Sequence, residues 1–308
     1  MNNVLLSIII PLYNSQAFLS DTLNNILSSS DDLLKRIEII LIDDGSTDGT
    51  KNLCLKYTHD FECVKYHYKE NGGIASARNY GIKKASGQYL FFHDHDDLFE
   101  INNLDKIISI LDLNDSDLLF FNSYIVENGN KKVFAHVNEC LAACCDTTCL
   151  ETDILKIQFH LKPRKNIANR VGNIWSTVLK KKFIIDKGIR FKIHVDFDDD
   201  FNFIAETISN NAKIRLSTLF IYRWNFSKKS MSHHYLFSGD YPKKVLDYKF
   251  YLTTILDKTL FSNQEKELAC NNVIWDKIEE FVVCYFGNDD KIRYADFKYI
   301  IKKYKIRE

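Results

Sequence analysis

Residues 88–99 read Gln88-Tyr89-Leu90-Phe91-Phe92-His93-Asp94-His95-Asp96-Asp97-Leu98-Phe99, an apolar run of strand length that passes directly into three carboxylates. Consecutive apolar residues without polar alternation are what a strand covered on both faces requires. Carboxylates gathered at the end of such a strand attract a cation. Asp94 and Asp96, two residues apart on one extended edge, offer the hard oxygen ligands that Mg²⁺ or Mn²⁺ takes while leaving positions for phosphate oxygens. Taken alone, such a turn is more often a solvated Asp-rich loop than a metal site, and the chain around it decides between the two.

Upstream, Leu5-Leu6-Ser7-Ile8-Ile9-Ile10-Pro11-Leu12-Tyr13-Asn14 is a second apolar run, stopped by Pro11 and followed by apolar pairs at Phe18/Leu19, Thr22/Leu23 and Ile26/Leu27. That is strand, turn and amphipathic helix. A third run, Ile37-Glu38-Ile39-Ile40-Leu41-Ile42, ends in Asp43-Asp44-Gly45-Ser46-Thr47-Asp48-Gly49-Thr50 and leads into helical sequence from Lys51 to Tyr57. Doubly buried strands alternating with helices define an α/β fold with a Rossmann-like, mostly parallel sheet flanked by helices. Such sheets bind ligands beyond the carboxyl ends of their strands, which is where Asn14, Asp43, Asp44 and Asp94 to Asp97 fall.

At these residues the chain resembles the family 2 glycosyltransferases of the GT-A fold. The matching motifs are Pro11-Leu12-Tyr13-Asn14, then Ile42-Asp43-Asp44-Gly45-Ser46-Thr47-Asp48-Gly49-Thr50, then Asn71-Gly72-Gly73-Ile74-Ala75-Ser76-Ala77-Arg78-Asn79-Tyr80-Gly81-Ile82, and Asp94-His95-Asp96-Asp97. Each is loose, and four in register are specific. The match is good over about the first hundred residues and fainter to about residue 232. The resemblance implies a nucleotide-diphosphate sugar donor such as a UDP-sugar, Mn²⁺ or Mg²⁺ on its phosphates, and attack by an acceptor hydroxyl with inversion. It puts Asp96 on the metal, Asp94 on the metal or the ribose, and Asp97 in the support of the loop. It further implies that Asp43 or Asp44 accepts the uracil N3 hydrogen, and that Pro11, Tyr13, Asn14, Arg78 and His95 line the donor. Local chemistry offers other readings: an Asx-type turn of Asp44 with Gly45, and a surface ion pair for Arg78.

An incoming hydroxyl must lose its proton as it attacks. The second half carries family-like acceptor-side sequence in Gly172-Asn173-Ile174-Trp175-Ser176, Gly188-Ile189-Arg190-Phe191 and Asp198-Asp199-Asp200-Phe201-Asn202-Phe203. The family's pattern is Glu-Asp, two residues, then an aromatic. Matching Phe203 to that aromatic selects Asp200 as general base, with Asp199 and Asp198 as alternates within the acidic run. The same aspartates would also serve a helix N-terminus. Farther on come Ile221-Tyr222-Arg223-Trp224 and Ser230-Met231-Ser232-His233-His234. By the resemblance, His233 or His234 is a third metal ligand.

Length and charge bound the reading. A chain of 308 residues can bury a large core, and 41 Lys and Arg against 41 Asp and Glu give no overall pull on nucleic acid. No run is long and apolar enough to span a bilayer, and Met1 to Asn14 lacks a basic head and a cleavage site, so a cytoplasmic protein is expected. Four of eight cysteines, Cys140, Cys144, Cys145 and Cys149, fall within ten residues. Zinc ligation and a packed, reduced element both suit them, and the small residues Leu141-Ala142-Ala143 favour the second. The expected organisation is a donor half over 1–125, a variable insert and acceptor half over 126–232, and a helical C-terminal region over 233–308. The end of that region, 291–308, carries seven Lys or Arg around an aromatic-aliphatic stripe, a pattern that suits either docking on the protein or an anionic membrane surface. Expected partners are the UDP-sugar, a glycan or lipid-linked acceptor and, as further candidates, that membrane surface and a second copy in a homodimer. The competing readings are a nucleotidyltransferase and an inactive nucleotide- or glycan-binding module. Against the first, Pro11-Leu12-Tyr13-Asn14 supplies neither glycine nor lysine for a phosphate loop.

Overall fold

Strand β1 (Leu6–Leu12) is buried along its whole length, and its side chains alternate between two apolar cores. Ile8 and Ile10 join one and Ile9 the other. A continuous apolar run is therefore the sequence of a strand at the centre of a two-sided sheet. β2 (Ile37–Asp44) divides its residues in the same way, Ile39 and Leu41 against Ile40 and Ile42. The computed structural model describes residues 4–127, 129–134, 137, 154, 173–193, 199–226 and 241–286, with side chains of the last segment confined to 247–274.

The remaining elements are α1 (Leu19–Leu27), α2 (Asp31–Leu34), α3 (Thr50–Asp60), β3 (Val64–Lys69), α4 (Ile74–Lys84), β4 (Tyr89–Phe92), β5 (Leu98–Phe99) and α5 (Leu104–Asp112). They continue with β6 (Leu118–Glu127), β7 (Asn130–Phe134), β8 (Thr177–Lys180), α6 (Lys181–Asp186), α7 (Asp199–Ser209), β9 (Ile214–Phe226), α8 (Tyr241–Leu256) and α9 (Asn263–Phe286). The sheet order is β3-β2-β1-β4-β8-β6-β9-β5, with β7 beside β6. The strands of β3-β2-β1-β4 are all parallel. β8 enters antiparallel to both β4 and β6, whereas β9 runs parallel to β6. The carboxyl ends of β1, β2, β4, β6 and β9 consequently face the same way.

One face of the sheet is covered by α1, α3 and α5. The other is covered by α4, α6, α7 and the hairpin of α8 and α9, whose Tyr248, Leu252, Ile255 and Ile274 are buried in the same core as Phe92 and Phe203. Helix α4 lies close on the sheet because Gly81 has no side chain: a β-carbon there would collide with Ile9 Cγ2. At the opposite end of the sheet from the carboxyl ends, buried Glu38 ties three strands and a turn together. It accepts bonds from Ser7 Oγ at 2.6 Å, Ser86 Oγ at 2.8 Å and the Gly87 amide at 3.1 Å, and pairs with Lys65 Nζ. These donors outweigh the cost of burial and hold its carboxyl at about 2.

The regular elements match the sequence expectation with modest shifts of boundary. The helix read over 51–57 is longer on both sides, and the strand read over Leu118–Asn122 continues to Glu127 because β9 pairs with it as far as Phe226. The Cys140–Cys149 cluster, Asp198, His233, His234 and the tail 291–308 lie outside the described residues. Among those described, no helix is long and apolar enough to cross a membrane.

Candidate active site

The site forms at the carboxyl ends of β1, β2 and β4. Where β1 ends, Asn14 takes a left-handed conformation (φ 50°), and its Oδ1 accepts the Thr47 amide at 2.9 Å. Its own amide donates to Ser46 Oγ at 3.0 Å. Asn14 thus laces the first strand end to the second, beside buried Pro11 and exposed Tyr13. Asparagine is one of the few residues that tolerates that backbone region.

The two aspartates ending β2 have separate tasks. Asp43 is fully buried, and its carboxylate accepts the Ser46 amide and the Tyr66 hydroxyl, each at 2.8 Å. The turn through Gly45 is therefore held by Asp43. The Asp44 carboxylate reaches across to the loop before α4, accepting the Gly73 amide at 2.8 Å and the Gly72 amide at 3.1 Å and pairing with Lys69. Gly45 permits this approach: at φ +81° it lies where a β-carbon would come 2.9 Å from the Asn71 nitrogen.

The carboxylates after β4 are not equivalent either. Asp96 is half-buried, and among the described residues none donates to its carboxylate. Its carbonyl accepts Asn225 Nδ2 at 3.1 Å. Asp97 is buried and faces β9, accepting the Tyr222 hydroxyl at 2.5 Å and the Asn225 amide at 2.7 Å. Burial, with Asp94 beside it, pushes the Asp97 carboxyl up to about 8. Tyr222 in turn accepts the Asp94 amide at 3.2 Å, stacks on Trp175 at 5.0 Å, and is raised well above a normal phenol by burial and by Asp97. His93 is buried and brought down to about 4 by desolvation. Its Nδ1 lies 2.7 Å from the Asp94 carbonyl, which can only accept, so Nδ1 carries the proton. From the other side the Thr22 hydroxyl sits 2.8 Å from the carbonyls of both His95 and Asp97, and the His95 ring lies 6.1 Å from Phe18.

Arg78 brings the two halves of the chain together. Its Nη1 donates to Asp200 Oδ1 at 2.7 Å and its Nη2 lies 3.5 Å from Asp94 Oδ1. The side chain is buried, at 4 % exposure. Desolvation opposes its charge, but Asp200 and Asp94 more than compensate and raise its pKa. Asp199 and Asp200 open α7, so the helix-terminus reading and the placement of Asp200 beside the strand-end carboxylates hold together. Arg78 does form ion pairs, and they are buried where local chemistry alone offered a surface pair.

Among the described residues no group of three or more His, Cys, Asp or Glu side chains converges on a metal position. Asp94 and Asp96 fit a Mg²⁺- or Mn²⁺-type ion that draws its other oxygens from a diphosphate and water, since such an ion needs only one or two protein carboxylates. The sequence reading missed Tyr222 and Asn225 as supports of the carboxylate loop, Tyr66 and Lys69 as partners of the β2 aspartates, and Asn79. The last stood inside a quoted motif, but its partner, the Phe191 backbone, is 112 residues away.

The chain belongs to the glycosyl transferase family 2, whose model matches residues 7–176, more than half of it. It is 29% identical over 170 residues to the minor teichoic acid biosynthesis protein GgaB of Bacillus subtilis, a match covering 50% of this chain and 19% of that protein. Among solved structures it is similar to S. aureus TarS in complex with UDP-GlcNAc, with TM-score 0.64 and 20% identity over 87% of this chain and 71% of that one. It is also similar to the mannosyltransferase PcManGT of Pyrobaculum calidifontis in complex with GDP-Man and Mn²⁺, with TM-score 0.55 and 12% identity over 96% and 79%. The fold is GT-A. The chain spans less than half the length of the curated relatives it matches first.

Proposed function

We propose that the protein transfers one sugar from a UDP-sugar to a hydroxyl of a glycan or lipid-linked acceptor by a single displacement with inversion. The observation that carries this is the chain Asp94–Arg78–Asp200, which sets a carboxylate of the second half beside the strand-end carboxylates of the first. In this reading Asp200 takes the acceptor proton as the hydroxyl oxygen attacks the anomeric carbon. The bond from that carbon to the diphosphate breaks, and UDP leaves. Asp96, with Asp94, would hold a Mn²⁺ or Mg²⁺ ion, which supplies positive charge against the departing diphosphate. Tyr13, Asn14 and the β2 end would hold the nucleotide. Asp43 and Asp44 support that surface from behind, since each carboxylate is buried and engaged. The UDP-GlcNAc complex of TarS and the teichoic acid role in the name of GgaB favour a UDP-sugar and a cell-surface polymer.

Calorimetry of UDP binding with and without Mn²⁺, repeated on Asp96→Ala, tests the donor side. Affinity should depend on the metal in the wild type and lose that dependence in the variant, which should stay folded because the Asp96 carboxylate accepts no bond among the described residues. Equal UDP affinity with and without Mn²⁺ in the wild type would defeat the metal assignment. Release of pyrophosphate from UTP and a sugar 1-phosphate, with no UDP released from a UDP-sugar, would point to nucleotidyl transfer. We extend the proposal to the basic segment 291–308, which would rest on anionic lipid at about 1 kcal/mol per basic residue near the surface. The full chain should then sediment with anionic vesicles and not with neutral ones, less so in high salt. Equal sedimentation of a chain ending at residue 287 would remove that role.

A further inference from the structure

We infer that Arg78 is a positioning residue, which holds the acceptor-side carboxylate Asp200 at a set place against the donor-side loop and does not itself ligate the donor; this rests on the glycosyl-transfer reading above. An arginine that wraps a diphosphate must present its guanidinium to the cleft. Here it is 4 % exposed, lies over the Phe191 ring at 5.3 Å, and spends its two terminal nitrogens on Asp200 and Asp94. Its Nε is buried with no partner among the described residues. A buried donor left unpaired costs stability, so the arrangement is not one that stability alone would select.

The surroundings make Arg78 a rigid strut. Its helix is seated on β1 through Gly81 and held at its start by Asp44. The next residue, Asn79, grips the Phe191 backbone twice, donating to its carbonyl at 2.8 Å and accepting from its amide at 3.0 Å. Phe191 stacks on Phe203 at 4.1 Å, and Phe203 sits three residues after Asp200, on the same side of α7. The first turn of α7 is therefore pinned at two points, by an ion pair and by a ring stack, both reaching back to consecutive residues of α4. A displacement of about 1 Å at a reacting group can cost about 10² in rate, and a lysine could not reproduce the planar, two-pronged contact.

The test uses the full chain with a UDP-sugar and acceptor, comparing Arg78→Lys and Arg78→Ala with the wild type. Expected are a fall in kcat of about 10², UDP affinity within about twofold by calorimetry, and partial recovery of Arg78→Ala by millimolar guanidinium ion. Weakened UDP binding that accounts for the whole loss in kcat/KM would make Arg78 a donor ligand and overturn the inference. An unchanged kcat in a folded variant would do the same. A wild type without UDP affinity defeats the glycosyl-transfer reading, and the positioning role falls with it. The ion pair has its own readout in melting temperatures. Arg78→Met and Asp200→Asn together should lose less than the sum of the single variants, and additive losses would show that the pair does not hold α7.

Discussion

Asp43 and Asp44 differ by one position and by everything they touch, which is the lesson of this site at the scale of the residue. Adjacent side chains on a strand point to opposite faces, so one aspartate closes its own turn and the other clamps the loop before α4. Asp44→Ala should free the Gly72 and Gly73 amides, and hydrogen exchange there should rise while the core of the sheet stays protected; unchanged exchange would remove the clamp. Replacing Asp200 by Asn should lower turnover by about 10² to 10⁴, the worth of a positioned base, with UDP affinity nearly unchanged. If Asp199→Asn is the dead variant and Asp200→Asn remains active, the base is Asp199. Glu38 makes the clearest prediction for pH. Its carboxyl is lowered to about 2 from an ordinary 4.5, so its stabilisation is fully present above about 4.5 and is lost as pH falls towards 2. The difference is worth about 3 kcal/mol. Wild type and Glu38→Gln should therefore converge in stability in acid and separate above pH 5; parallel curves of urea unfolding against pH would contradict this.

At the scale of the element, α4 ties the molecule together because it is packed closely enough to be rigid. Gly81→Ala would gain about 1 kcal/mol of helix propensity but force its methyl into Ile9, which is fully buried. Overpacking of this kind costs about 1–3 kcal/mol. The net expectation is a lower urea midpoint together with reduced turnover, since the shift moves Arg78 and Asn79. A stabilised, fully active variant would show that α4 has slack. Helix α7 is held from its other end through Glu206, which pairs with Lys192 at 3.0 Å and accepts the Tyr251 hydroxyl of α8 at 3.1 Å.

On the scale of the whole molecule, the sheet and the C-terminal hairpin share one core. Leu252, Ile255 and Ile274 lie in the same apolar cluster as Ile9, Phe92 and Phe203. A shared core unfolds as a unit, so near- and far-ultraviolet signals should report one coincident thermal transition. A chain stopped at residue 232 would expose the face of α7 that the hairpin covers, and should aggregate or fail to bind UDP. A truncated chain that melts at the wild-type temperature would make the hairpin a separate unit.

The sequence by itself determined the α/β class, the order of strand and helix through the first hundred residues, and the polar strand ends where the site forms. These are local signals: a strand buried on both faces must be apolar throughout, and its end must turn polar on reaching solvent. Its resemblance to the family also marked Asp96 and Asp200 as candidates, through motifs that lie along the chain. Only the tertiary structure decided which carboxylates are bound and which are open. Arg78 reaches Asp200 across 122 positions and Asp97 reaches Tyr222 across 125. A side chain long enough to bridge elements takes the partner that packing brings near, and that choice has no signature in the residues on either side of it.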